Sequence, residues 1–396
     1  MTLFSALSTA PPDPIFSLNE AFQADPNPNK INLTIGVYQD ENGHIPLLHS
    51  VETAEKALMA RGSPHTYLPI EGLATYRAAV KTLVFGELSE AAQQRIVTVQ
   101  SPGGTGGLKL GANLLKKLLP NATVALSNPT WENHRGVFES AEFPVVTYTY
   151  YDPHTHQVNF EDMKADLATL PPQSIVVLHA CCHNPTGVDL TAKQWQEVSE
   201  LCQTHALIPF FDLAYQGFAH GLIEDSAAIR AFARTDLSFL VANSFSKTFS
   251  LYGERVGALS VVSQTPQEAK AILSQLKRLI RVTYSNPPTH GAALVAMILN
   301  SPELRKEWEN ELTAMRERIK LMRSTFVSEL KALAPEQDFA FINAQNGMFS
   351  YSGLTTEQVE KLKMNGIYIL PTGRICLAAL TPENLEKVTR AIQKVL

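Results

Sequence analysis

A chain of 396 residues exceeds what one compact core organises, so two domains built from discontinuous pieces are expected. With 45% hydrophobic and 18% charged residues it is neither disordered nor fibrous, and a formal charge of -5 sets up no positive field to draw nucleic acid or an anionic membrane. No apolar run approaches the roughly 18 residues of a membrane span, and the opening MTLFSALSTAPPDP lacks a basic start and is broken by prolines, so the chain reads as cytoplasmic, neither exported nor inserted.

In chain order, residues 1–14 hold three prolines and few apolar side chains, and read as an arm laid over a partner subunit. A smaller α+β domain is expected from 15–45 and 315–396, and a large domain from 46–314. In the large domain short β-branched runs alternate with amphipathic stretches, which argues for an α/β layer structure with a largely parallel sheet. The expected strands are 96–100, 123–127, 174–180, 206–214, 238–244 and 257–263. A helix is expected from about Gly106 to Leu119, with Leu108, Ala112, Leu115 and Leu119 on one face. From Pro302 to Leu333 apolar residues recur every three or four positions with no internal glycine or proline, one long helix suited to bridging two domains. Short strand-like pieces follow (FAFINA, GMFSYSG, GIYILP, RICLAAL), then a last helix.

Four clusters carry chemistry, each at the carboxyl end of an expected strand, where open α/β sheets place their ligands. The glycine-rich turn 101–107, with Gly103, Gly104 and Thr105, can offer bare backbone N–H groups to a phosphate, although such a turn alone also serves structure, and it matches neither the P-loop nor the dinucleotide spacing. Lys247 lies among Ser244, Ser246 and Thr248; a partly desolvated amine there can attack a carbonyl, while the bland alternative is a solvated lysine. Ser244, Ser246 and Arg255 add donors for the same phosphate. Asp212 ends an apolar strand, where a carboxylate needs a cationic partner: a protonated pyridine nitrogen, or an ordinary salt bridge or helix cap. In His179-Ala-Cys181-Cys182-His183-Asn184 the spacing fits no common zinc site, so no metal is expected, and Asn184 before Pro185 is held extended with its amide free to face a crevice. Cys181, Cys182, Cys202 and Cys376 have neither CxxC spacing nor the density of a disulfide scaffold.

Together, phosphate cradle, amine, acid and amide describe pyridoxal phosphate. Across nearly its whole length the sequence resembles the class I aminotransferases, in their aspartate and aromatic-amino-acid branch. The motifs are YLPIEGL (67–73), GGTGG (103–107), SNPTWENH (127–134), HNPTG (183–187), DLAYQGF (212–218), SFSKTFSLYGERVG (244–257), RVTYSNPP (281–288), NGMFSYSGL (346–354) and the pair 373–374. The resemblance implies the type I fold of pyridoxal-phosphate enzymes, with a mostly parallel seven-stranded sheet flanked by helices and a smaller α+β domain. It implies Lys247 as cofactor-bearing lysine and base, Asp212 on the pyridine nitrogen, and Tyr215 and Asn184 on the phenolic oxygen. Trp131 would stack on the ring, with His134 and His179 as supports. Gly104, Thr105, Ser244 and Arg255 would bind the phosphate, with Tyr67 reaching over from the partner of a homodimer. Arg374 would hold the substrate α-carboxylate, and Arg281 of the partner the side-chain carboxylate of aspartate, glutamate or 2-oxoglutarate, although either arginine alone reads as an ordinary salt bridge. Gly36 and Phe349 would line the substrate side. Expected activity is ping-pong transfer of an amino group from tyrosine, phenylalanine or aspartate to 2-oxoglutarate, or, as the alternative, an aspartate aminotransferase with weak aromatic activity. A lyase or decarboxylase, or a non-catalytic binding relative, is the remoter reading.

Overall fold

The β-branched runs between 96 and 262 pair into a seven-stranded sheet in a computed structural model that describes residues 2–62 and 66–396, so Met1 of the expected arm lies outside the described part. Its strands are β1 (Ile96–Pro102), β2 (Val124–Asn128), β3 (Val145–Thr149), β4 (Ile175–His179), β5 (Ile208–Leu213), β6 (Phe239–Ser244) and β7 (Val256–Val262), in the order β1-β7-β6-β5-β4-β2-β3. β7 alone runs against its neighbours, antiparallel to both β1 and β6. Six of the seven were expected. The exception is the edge strand β3, where Tyr148 is the one buried side chain, so no apolar run announces it.

Adjacent residues of the inner strands face opposite sides of the sheet, and both sides are packed. Phe210, Val177 and Leu240 join one apolar cluster with Leu108, Ala112 and Leu115, whereas Phe211, Val176 and Val241 join the other. The helix carrying Leu108, Gly103–Leu118, begins three residues before its expected start. Gly103, its first residue, has φ 71°, and the rest of the glycine run to Gly107 lies in the helix's first turns. Glycine is required there by proximity, because a Cβ on Gly107 would stand 2.9 Å from the Ala258 carbonyl oxygen of β7.

The long helix Pro302–Leu333 forms as expected, with Ser301 capping its N-terminus and Pro302 in its first turn. Trp308, Leu312, Met315, Ile319, Met322, Phe326 and Leu330 are its buried stripe. Trp308 stacks on Phe249 at 4.3 Å and donates its indole N–H to the Thr248 carbonyl at 2.8 Å, which ties this helix to the loop that bears Lys247. Beyond it, Ile31–Asn32 pairs with Ile367–Tyr368, and Phe349–Tyr351 with Arg374–Cys376, so N-terminal and C-terminal segments build one body. The strand reading of FAFINA is corrected: Ala340–Ala344 is a 3-10 turn, started by the Asp338 carboxylate accepting from the Ala340 N–H at 2.8 Å. Among the described residues no helix is long and apolar enough to cross a membrane.

Candidate active site

The carboxyl ends of β1, β4, β5 and β6 converge on a cavity of about 620 Å³. Because β7 runs the other way, its start lies at that same edge, and Arg255 just before it reaches the turn at Gly103. Gly36, Gly104, Thr105, Trp131, His179, Asn184, Asp212, Tyr215, Ser244, Ser246, Lys247, Arg255, Phe349 and Arg374 all line the cavity. His134 sits one layer behind, fully buried. Tyr67 and Arg281 are exposed and line no part of it; Arg281 donates instead to the Ser285 hydroxyl. Gly103 lies just outside the lining but shapes it, since a Cβ there would stand 2.5 Å from Arg255 Nη2.

One end of the cavity gathers hydroxyl and guanidinium donors beside a helix N-terminus, an arrangement able to hold a phosphate. Ser244 Oγ donates to Ser246 Oγ at 3.1 Å, the Arg255 guanidinium donates to Ser246 Oγ at 3.5 Å and to the Tyr252 carbonyl at 2.9 Å, and the first turn of the Gly103 helix opens beside them. A Cβ on Gly104 would stand 3.1 Å from the Ser244 side chain, a tight approach that glycine relieves.

At the centre, Asp212 Oδ2 accepts from His134 Nε2 at 3.0 Å. His134 Nδ1 meets Thr130 Oγ1 at 2.8 Å, Thr130 Oγ1 meets His179 Nε2 at 3.1 Å, and His179 Nδ1 accepts the Asn184 N–H at 3.4 Å. Burial acts to raise the Asp212 carboxyl, but the His134 hydrogen bond, with the Lys247 charge beyond it, outweighs burial and holds it below its ordinary value. Burial also presses His179 down, to about 3, with the neighbouring His134 charge adding to it, so His179 stays neutral and can accept from Asn184. Lys247 opens onto the cavity but is enclosed by protein; desolvation lowers its ammonium pKa against the opposing pull of Asp212, with Arg255 and Arg374 adding to the lowering. Its Nζ lies 5.4 Å from the Tyr215 ring centre, and burial raises the Tyr215 phenol.

The other end presents Arg374, 1% exposed. Its Nη1 donates to Asn184 Oδ1 at 3.1 Å and its Nη2 to the Thr34 carbonyl at 2.6 Å, and the guanidinium lies 4.2 Å from the centre of the Phe349 ring. Arg374 Nε is buried with no acceptor, which leaves this cation able to donate further to an anionic ligand. Gly36 is matched to that ring: a Cβ there would stand 2.6 Å from Phe349 Cζ. Three cations face one carboxylate, a balance suited to a ligand pair carrying both phosphate and carboxylate.

Sequence reasoning missed Ile15, Phe16, Ile35 and Val37, which supply apolar wall from the N-terminal segment. Short apolar positions far from any motif gave no signal. It also missed Tyr252, whose hydroxyl accepts the Tyr38 N–H at 2.9 Å. Cys181 and Cys182 are buried free thiols gathered with Asp225 within 4.8 Å. The Asp225 carboxylate is already occupied by the N–H groups of Gly217, Ala219 and His220, and both thiols are pushed up, so this group is not prepared as a ligand set.

The family model for aminotransferase class I and II matches residues 28–392. The chain belongs to that family. It is 57% identical, over the full length of both chains, to an aspartate aminotransferase of Pseudomonas aeruginosa, and 47% identical over the full length of both to an aromatic-amino-acid aminotransferase of Escherichia coli. Its fold superposes with a TM-score of 0.98, over all of both chains at 56% identity, on an aromatic-amino-acid aminotransferase of Burkholderia pseudomallei covalently bound to pyridoxal phosphate. This aminotransferase is therefore a pyridoxal-phosphate-dependent transaminase whose substrates are amino acids and 2-oxo acids. The cradle, the enclosed amine, the acid backed by an imidazole and the unpartnered Arg374 Nε fit that cofactor and a carboxylate substrate.

Proposed function

We propose a dual transaminase that moves the amino group of an aromatic amino acid or of aspartate to 2-oxoglutarate, favouring the aromatics. The observation that carries this reading is one cavity combining Arg374, with a free donor for the α-carboxylate, and an apolar wall of Ile15, Phe16, Ile35, Val37 and Phe349 that suits a ring. The relatives' names, divided between an aspartate aminotransferase at 57% identity and an aromatic-amino-acid aminotransferase at 56%, are in keeping with substrates of both kinds.

Bound pyridoxal phosphate supplies the carbonyl carbon that receives the amino group and the electron sink that makes the α-proton removable. Lys247 is assigned as the lysine that holds the cofactor and, once its amine is free, takes the substrate α-proton and returns it one carbon away. Its desolvation keeps a share of that amine neutral and basic. Asp212, kept ionised by His134, would pair with the pyridine nitrogen and keep it protonated. Tyr215 and Asn184 would serve the phenolic oxygen, and Trp131 would cover the ring. Gly103, Gly104, Thr105, Ser244, Ser246 and Arg255 would hold the phosphate. Arg374 orients the α-carboxylate bidentately.

We further assign the assembly as a homodimer with shared sites. Tyr67 is 87% exposed and Arg281 is exposed too, which supports their serving the partner's cavity. The division into an arm (1–14), a small domain (15–45 and 315–396) and a large domain (46–314) is part of the same reading, as is a cytoplasmic location, supported by four buried free thiols. The test is kcat/KM for phenylalanine, tyrosine and aspartate with 2-oxoglutarate. Aromatic values at or above that for aspartate are expected; aspartate preferred by more than about a hundredfold, about 2.7 kcal/mol, overturns the dual reading.

A further inference from the structure

Resting on that assignment of the carboxylate site, we propose that Arg323, which lies outside the cavity, is a positioning residue that holds the two segments flanking Arg374 in their binding geometry. Arg323 belongs to the long helix and is 3% exposed. A guanidinium does not shed its proton to escape burial, and among the described residues no carboxylate forms an ion pair with it. Its partners are neutral: Nη2 donates to the Gly347 carbonyl, and Nε to Ser350 Oγ at 3.5 Å. Burial pushes its pKa down to about 10. A buried charge is placed at a cost, and here its donors are spent on two fixed acceptors of one segment, an arrangement suited to fixing geometry.

What it fixes is visible in the contacts of residues 345–350. Gly347 is pressed on Cys182, where a Cβ would stand 2.5 Å from Cys182 Cβ. The Asn346 N–H donates to the Gly187 carbonyl at 2.6 Å, and a Cβ on Gly187 would meet the Phe349 carbonyl oxygen at 2.9 Å. Asp189 closes the other side: its carboxylate accepts from the Cys182 N–H at 2.9 Å, the His183 N–H at 2.8 Å and Asn346 Nδ2 at 3.2 Å. Segment 345–350 and turn 182–189 are thus one seated unit, and Arg323 clamps it from behind. Asn184 at the tip of the turn and Phe349 at the end of the segment are two of the groups that orient the Arg374 guanidinium. Loosening the clamp frees that guanidinium to wander without touching cofactor, Lys247 or substrate.

The measurement uses the holoenzyme of Arg323→Met and Arg323→Lys. Binding of the non-reacting acid 3-phenylpropionate is read from the shift of the bound-cofactor absorbance, alongside KM, kcat, cofactor content and Tm. For Arg323→Met, Kd and KM are expected to rise about tenfold or more while kcat changes by less than about threefold, with cofactor content unchanged. Arg323→Lys, still able to donate to the Gly347 carbonyl, recovers part of the loss. A merely structural role moves Tm and leaves Kd and KM within about twofold in the folded variant, and that result overturns the proposal. Should Arg323→Met fail to fold, Ser350→Ala removes one acceptor and is expected to raise KM about threefold; an unchanged KM there also overturns it. Absence of transamination by the wild-type protein would instead count against the functional assignment, and the 3-phenylpropionate Kd would still report on the clamp.

Discussion

His179 shows how one side chain serves geometry through its charge state. Its Nδ1 accepts from the Asn184 backbone while its Nε2 meets Thr130, and burial holds it neutral with a pKa of about 3. Unfolded, the same imidazole titrates at about 6.5. The unfolded chain therefore binds the extra proton between these values, so the stability His179 contributes is complete above pH of about 6.5 and is lost as pH falls toward about 3. From pH 7 to 5 that loss is about 1–2 kcal/mol. His179→Asn keeps a polar group near the Asn184 N–H but cannot titrate, so its urea midpoint should fall less between pH 7 and 5 than that of the wild type. Parallel curves for the two proteins would show that another group governs the acid limb. His179 and His134 stood out in the sequence only beside recognised motifs; their shared partner Thr130 did not, because the link runs between residues 49 positions apart.

At the scale of elements, the meeting of Arg255 with the Gly103 helix, proposed above to hold the phosphate, depends on β7 running antiparallel. Were it parallel, Arg255 would stand at the far edge of the sheet; as it is, Gly257 pairs with both Ser101 and Ser244, and the guanidinium meets the first turn of the Gly103 helix. Gly103 is doubly constrained, by φ 71° and by Arg255 Nη2. Gly103→Ala is expected to displace Arg255 and raise the Kd for pyridoxal phosphate about tenfold or more, measured by titrating the apoenzyme. An unchanged Kd would mean that Arg255 moves aside freely and adds little to phosphate binding. The glycine run and the arginine were both legible in the sequence. The direction of β7, and hence their meeting, was not, since an apolar run reads the same from either end.

At the scale of the whole molecule, two residues that the family resemblance assigns to the site do not line this chain's own cavity. Tyr67 and Arg281 are both exposed. If the partner completes each cavity, two inactive variants should restore one another. Arg281→Ala and Lys247→Ala, unfolded together and refolded as a mixture, are expected to regain about a quarter of wild-type sites toward aspartate and 2-oxoglutarate, since half the dimers are mixed and each mixed dimer has one intact site. Activity no greater than the sum of the separate variants would mean that each chain uses its own arginine.

Strand runs and the long helix followed from the sequence alone, because local periodicity is written in neighbouring positions, and Lys247, Asp212 and Asn184 stood out as chemically constrained residue types at strand ends, whereas Arg374 was marked only by the family resemblance. Edge strand β3 and the 3-10 turn at 340–344 did not, since one has a single buried side chain and the other turns on a hydrogen bond from Asp338. Only tertiary structure brought Ile15, Phe16, Ile35 and Val37 to the wall of the cavity and seated Arg323 behind Gly347. Those contacts join segments up to hundreds of residues apart. Their positions are set by how the sheet, the long helix and the two chain ends pack against one another, which no local pattern encodes.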